Sequence, residues 1–140
     1  ILMSKFTGSL QIEEIKPGIL WKLMSPIEFY IDSLNSGKKI VVPIGFITDG
    51  TTIPFILKYV IAVWGTYGRA AVIHDYLYNI LKTNYINHPY VKTRKEADRI
   101  FLQAMKVCGT GFFLRYALYI SVRLFGWYSI KCTPPRNLIL

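Results

Sequence analysis

The chain has 140 residues and a mass of 16.1 kDa, the size of one ordinary domain, and its 52% hydrophobic content argues against intrinsic disorder. Seventeen basic against 8 acidic residues give a formal charge of +9, which favours an anionic partner such as a lipid surface or an acidic protein. Nucleic acid is the least favoured, because Lys5, Lys22, Lys38, Lys39, Lys58, Arg69, Arg94, Arg99, Arg115 and Arg123 are scattered and form no groove-reading motif.

The first third alternates and turns. Ile19 to Leu23, Glu28 to Ile31, Lys39 to Val42 and Phe46 to Thr48 predict short strands, and Asn35-Ser36-Gly37 supplies a turn before the third. These make an N-terminal antiparallel sheet of three or four strands between about Leu10 and Thr48. Asp49 to Pro54 breaks the pattern. Beyond it the chain predicts four helices, the first running from Ile53 to Val63 with Pro54 in its first turn.

Arg69 to Leu81 forms the second. Ala70, Ile73, Leu77 and Leu81 line one face, and Ala71, His74, Asp75 and Tyr78 an adjacent one, flanking the buried stripe. Lys82 to Val91 is a polar connector. Thr93-Arg94-Lys95-Glu96 then matches a capping box, followed by Ala97, Ile100, Phe101, Ala104, Met105 and Cys108 at helical spacing, with Asp98 at the stripe's edge.

Gly109-Thr110-Gly111 ends that helix, and Phe112 to Ile130 predicts the last. Arg115 and Arg123 inside it disfavour a membrane span. Two readings remain: a core helix packing Leu114, Leu118 and Phe125 inward with a polar edge at Arg115, Tyr119 and Arg123, or an interfacial helix lying on lipid. Residues 131–140, with Pro134-Pro135, read as an extended tail. The fold expected is α+β in a single domain over residues 1–140, β-rich over 10–48 and helical over 53–130.

Cys108 and Cys132 form neither a C-x-x-C pair nor a spaced metal array. Cys108 continues an apolar stripe and reads as a buried free thiol in a reducing or neutral compartment. The N-terminus shows no basic region leading into an apolar core, so export by a signal peptide is not expected.

The chemistry concentrates at His74, Asp75 and Tyr78, spaced i, i+1 and i+4. The short connector favours antiparallel packing of their helix on the one that carries Asp98, and so a cross-helix His74–Asp98 pair. A carboxylate on one ring nitrogen fixes the tautomer and raises the basicity of the other, as a general base acting on water requires, with Tyr78 as a positioning hydroxyl. Asp75, and Asp49 in the preceding turn, are candidate ligands for a hard divalent cation. The competing reading of the cluster is a structural tie, and of Asp49-Gly50 a turn former.

His74-Asp75-x-x-Tyr78 with the later Asp98-Arg99 resembles the phospholipase A2 superfamily. That resemblance implies His74 as the base, calcium on Asp75 and Asp98 supporting the histidine. The match is confined to these residues, without that superfamily's paired cysteines or glycine-rich calcium loop. A longer run resembles a family of small bacteriophage and prophage proteins known as domain of unknown function 1353. It comprises Phe46-Ile47-Thr48-Asp49-Gly50, Ile53-Pro54, Trp64-Gly65, Tyr67-Gly68, Ala70 to Tyr78, Ala97 to Phe101 and Ala104-Met105. It implies a phage origin and a compact α+β fold, with no settled activity.

Three functions follow as expectations: a phage-encoded hydrolase using His74 at or near the cell envelope, a non-catalytic virion or tail component assembling with other phage proteins, or a protein that binds a host factor. The expected location is the infected host's cytoplasm or the virion, without a membrane span.

Overall fold

The computed structural model describes residues 5–7, 9–17, 20–32, 37–48, 67–83 and 88–132. Among these, six strands precede three helices: β1 (Lys5–Thr7), β2 (Ile12–Lys16), β3 (Leu20–Leu23), β4 (Ile27–Tyr30), β5 (Lys39–Val42), β6 (Ile47–Thr48), α1 (Gly68–Lys82), α2 (Arg94–Val107) and α3 (Phe112–Cys132). The expected α+β class is the observed one. The helix expected over Ile53–Val63 lies outside the described residues.

One correction concerns the sheet. The strands divide into two antiparallel three-stranded sheets, ordered β1-β4-β5 and β2-β3-β6, and β1 begins ahead of Leu10. The division falls where the chain cannot continue a ladder. β3 and β4 are joined through Met24-Ser25-Pro26, and Pro26 has no N–H to donate. After β5 the chain turns back through Pro43 and Gly45, the latter at φ 90°, to the first sheet's neighbour. There Leu23 N–H donates to Phe46 O at 2.8 Å, and Gly45 N–H to Leu23 O at 2.7 Å.

Alternation decides which side of each strand is buried. Leu23, Ile27, Phe29, Ile40 and Val42 are fully buried, and their neighbours face outward or sit half-buried. They join one apolar cluster with Ala70, Ile73 and Leu77 of α1, Ile100, Phe101 and Met105 of α2, and Leu118 and Val122 of α3. α1 lies in the middle of it, touching both sheets and both other helices.

α2 starts on the predicted capping box: Thr93 Oγ1 accepts from Glu96 N–H at 3.2 Å and donates to Glu96 Oε1 at 3.0 Å. It ends in a Schellman motif, with Thr110 N–H donating to Met105 O at 3.0 Å and Gly109 N–H to Lys106 O at 3.1 Å. Gly109 sits at φ 80° there. Gly109→Ala has open space for its methyl but must hold a left-handed backbone, so we expect a loss of about 1 kcal/mol in urea unfolding.

Two further expectations are corrected in the helices. Asp75 and Tyr78 do not merely flank the core: both are buried, because the sheets and α3 cover the second face of α1 as well. In α3, Leu118 and Leu114 pack inward as expected, but Phe125 is 56% exposed. The inward arc is made instead by Leu118, Ser121, Val122 and Gly126, since α3 rolls its small residues toward α1 and α2. Cys108 is a free thiol, partly rather than fully buried against the core, and burial raises its pKa.

Candidate active site

α1 and α2 pack side by side, and this brings together residues 24 positions apart. His74 Nε2 lies 2.8 Å from Asp98 Oδ1, and the Tyr78 hydroxyl, one turn along α1, donates to the same oxygen at 2.5 Å. The His74–Asp98 contact follows the sequence expectation. The burial of Asp98 does not: it stands at 0% exposure rather than at the edge of a stripe.

Two arginines, not assigned to the site from sequence, make that burial tolerable. Arg123 Nη1 donates to Asp98 Oδ2 at 2.7 Å, and Arg94 Nη1 approaches the same oxygen at 3.4 Å. Arg94 also donates to the α3 carbonyls of Val122 at 2.8 Å and Arg123 at 3.1 Å. One carboxylate thus holds all three helices. Arg94 was legible as the i, i+4 partner of Asp98. The signal for Arg123 was its place in an otherwise apolar helix, where a cation needs a buried counter-charge.

α3 can come this close because residue 126 has no side chain. A Cβ there would stand 2.3 Å from the Tyr78 hydroxyl and 3.1 Å from Arg94 Nη1.

Burial by itself works against ionisation of Asp98. Hydrogen bonds from His74, Tyr78 and Arg123 outweigh it and hold the carboxyl below its ordinary pKa. Burial, followed by the hydrogen bond to that carboxylate, raises the Tyr78 phenol far above its usual value. Tyr78 is therefore a fixed neutral donor, and not a group that exchanges protons near neutrality.

Because Asp98 is an ionised acceptor, Nε2 of His74 carries the hydrogen between them, and the lone pair of the neutral ring resides on Nδ1. Among the described residues no hydrogen bond reaches Nδ1. The ring stacks on Phe101 at 4.5 Å and lies against Tyr78 at 4.1 Å, and its side chain keeps 12% exposure. The ring's orientation is thus fixed by Asp98, Phe101 and Tyr78.

Asp75 points elsewhere. Thr48 Oγ1 of β6 donates to its Oδ2 at 2.8 Å, and Asn79 Nδ2 donates to its Oδ1 at 3.2 Å and to its backbone carbonyl at 2.8 Å. Asp75 thereby pins the second sheet to α1. Asp49, proposed with it as a cation ligand, lies outside the described residues. Among the described residues no three acidic, histidine or cysteine side chains are grouped to hold a metal, and both oxygens of Asp75 already accept from neutral donors.

Among the described residues no helix is long and apolar enough to cross a membrane. No curated protein and no solved structure matches the chain. A family model does: residues 21–122, which run from within β3 to the middle of α3 and hold every residue of the Asp98 cluster except Gly126 and Arg123, match the model described as protein of unknown function (DUF1353). The chain belongs to the DUF1353 family.

Proposed function

We propose that His74 is the general base of a hydrolase and that Asp98 and Tyr78 position it. The observation that carries this is the buried, ionised Asp98 held on Nε2 at 2.8 Å, which leaves Nδ1 as the basic atom of a side chain that keeps 12% exposure. In the reaction, Nδ1 takes a proton from water while the water oxygen bonds to an ester or amide carbonyl carbon. The imidazolium, stabilised by Asp98, then returns the proton to the departing oxygen or nitrogen as its bond to that carbon breaks. The phage origin, and with it a site of action at the cell envelope, rests on the resemblance of the run from Phe46 to Met105 to phage and prophage proteins. Infected cytoplasm or the virion is the corresponding location.

The complete pairing of Asp98 supports a second reading, in which the cluster is only a tie between helices in a non-catalytic virion or tail component or a host-factor-binding protein. A panel of chromogenic esters and amides separates the two. The hydrolase reading expects turnover by the parent and a fall of roughly 10²- to 10⁴-fold in His74→Ala, with the circular dichroism spectrum unchanged because Tyr78, Arg94 and Arg123 still satisfy Asp98. Assistance by a divalent cation on Asp75 and Asp49 is read by comparing turnover with calcium and with a chelator. A parent inactive on every class, or a His74→Ala variant as active as the parent, refutes it.

A further inference from the structure

We propose that the outward face of α3 docks the protein, lying flat, onto an anionic lipid surface. Opposite the buried Leu118, Val122 and Gly126, the residues Phe113, Ile120, Leu124 and Trp127 are 87%, 53%, 60% and 48% exposed. Steps of seven, four and three residues place them on one stripe of the helix, bordered by the exposed Tyr116 and Tyr128. A helix at the surface of a water-soluble monomer carries polar residues on this side. Here the stripe stays apolar until Lys131, and a contiguous patch of this kind marks an interaction surface.

Charge identifies the occupant. α3 holds Arg115, Arg123 and Lys131 and no acidic residue, in a chain of formal charge +9. A second copy would bring +9 against +9, whereas anionic headgroups are attracted by Arg115 and Lys131, Arg123 being committed to Asp98. The Arg115 guanidinium lies over the rings of Phe112 and Tyr116, 5.5 and 5.7 Å from their centres. A cation is thus kept beside the aromatic patch, where phosphate groups sit when the rings enter the acyl boundary. Tryptophan and tyrosine favour that same level, apolar body inward and polar tip in the headgroups. Since the helix is not apolar enough to cross, it lies along the surface.

The test is co-sedimentation of the full chain with vesicles of phosphatidylcholine alone or mixed with phosphatidylglycerol, at low and high salt. Binding is expected to the mixed vesicles, to weaken with salt, and to shift tryptophan emission to the blue, a shift that Trp127→Phe removes. Phe113→Ser with Leu124→Ser should weaken binding about tenfold or more, and Lys131→Glu about fivefold or more, with unchanged melting curves because these side chains already face water. Failure to bind either vesicle overturns the proposal, as does equal, salt-insensitive binding to both. So does a dimer in sedimentation that the Phe113→Ser, Leu124→Ser variant dissociates, which would make a second copy the occupant.

Discussion

Asp98→Asn is expected to cost about 3 kcal/mol of folding stability, the low end of the range for breaking one side of a buried charge pair. The substitution changes almost no volume. It leaves two guanidinium groups facing a neutral amide that offers one acceptor oxygen where the carboxylate offered two. The low end applies because Arg94 and Arg123 keep side-chain exposures of 26% and 31%, so both charges can be partly solvated. Urea unfolding with a constant slope measures it. A change below about 0.5 kcal/mol would show that the carboxylate does not hold the helices together.

The same residue determines the acid limb of stability. The folded-state pKa of Asp98 lies below its unfolded value, so its contribution is fully present above the unfolded value of about 3.9 and is lost as pH falls through the folded one. Parent and Asp98→Asn curves should therefore converge as pH falls below about 4 and stay apart above it. A gap between them that widened with rising pH across that upper range would mean another group is titrating.

Gly126→Ala is the second large effect. Alanine favours a helix interior over glycine by about 1 kcal/mol, but its methyl would overlap a tyrosine oxygen that is buried and already hydrogen-bonded. Overpacking of this kind costs about 1 to 3 kcal/mol, and Tyr78 cannot swing away without giving up Asp98. We expect a net loss of about 1 to 2 kcal/mol. Removing the oxygen relieves part of it, so Gly126→Ala should cost less in a Tyr78→Phe background. Equal costs in both backgrounds would place the clash elsewhere.

Much of this architecture was legible in the chain. The capping box at Thr93 fixed the start of α2 to the residue, and the 3.6-residue spacing of Ala97 through Cys108 gave its buried face, which is why the His74–Asp98 pairing could be anticipated. Local patterns of this kind carry their own geometry. The division of the strands into two sheets was not legible, because alternation reports which face of a strand is buried and says nothing of which neighbour it pairs with. Nor was the roll of α3. Leu114, Leu118 and Phe125 form a reasonable apolar arc, and only the absence of a side chain at Gly126, opposite Tyr78, decides that Phe125 turns to water. Arg123 was missed for a related reason: its partner lies 25 residues away on another helix, and a polar stripe on an isolated helix looks the same whether it faces solvent or a carboxylate.

The sharing of Asp98 among three helices also orders events during synthesis. Its Oδ1 is satisfied by α1 and its Oδ2 chiefly by Arg123, so α1 and α2 meeting alone would enclose an acid whose main counter-charge has not yet been made. The carboxylate stays at the surface of that pair until α3 emerges, and Gly126 must clear the ribosome before the last helix can close over Tyr78. α1, α2 and α3 are therefore expected to consolidate together only once α3 is available, on a sheet region that was translated first.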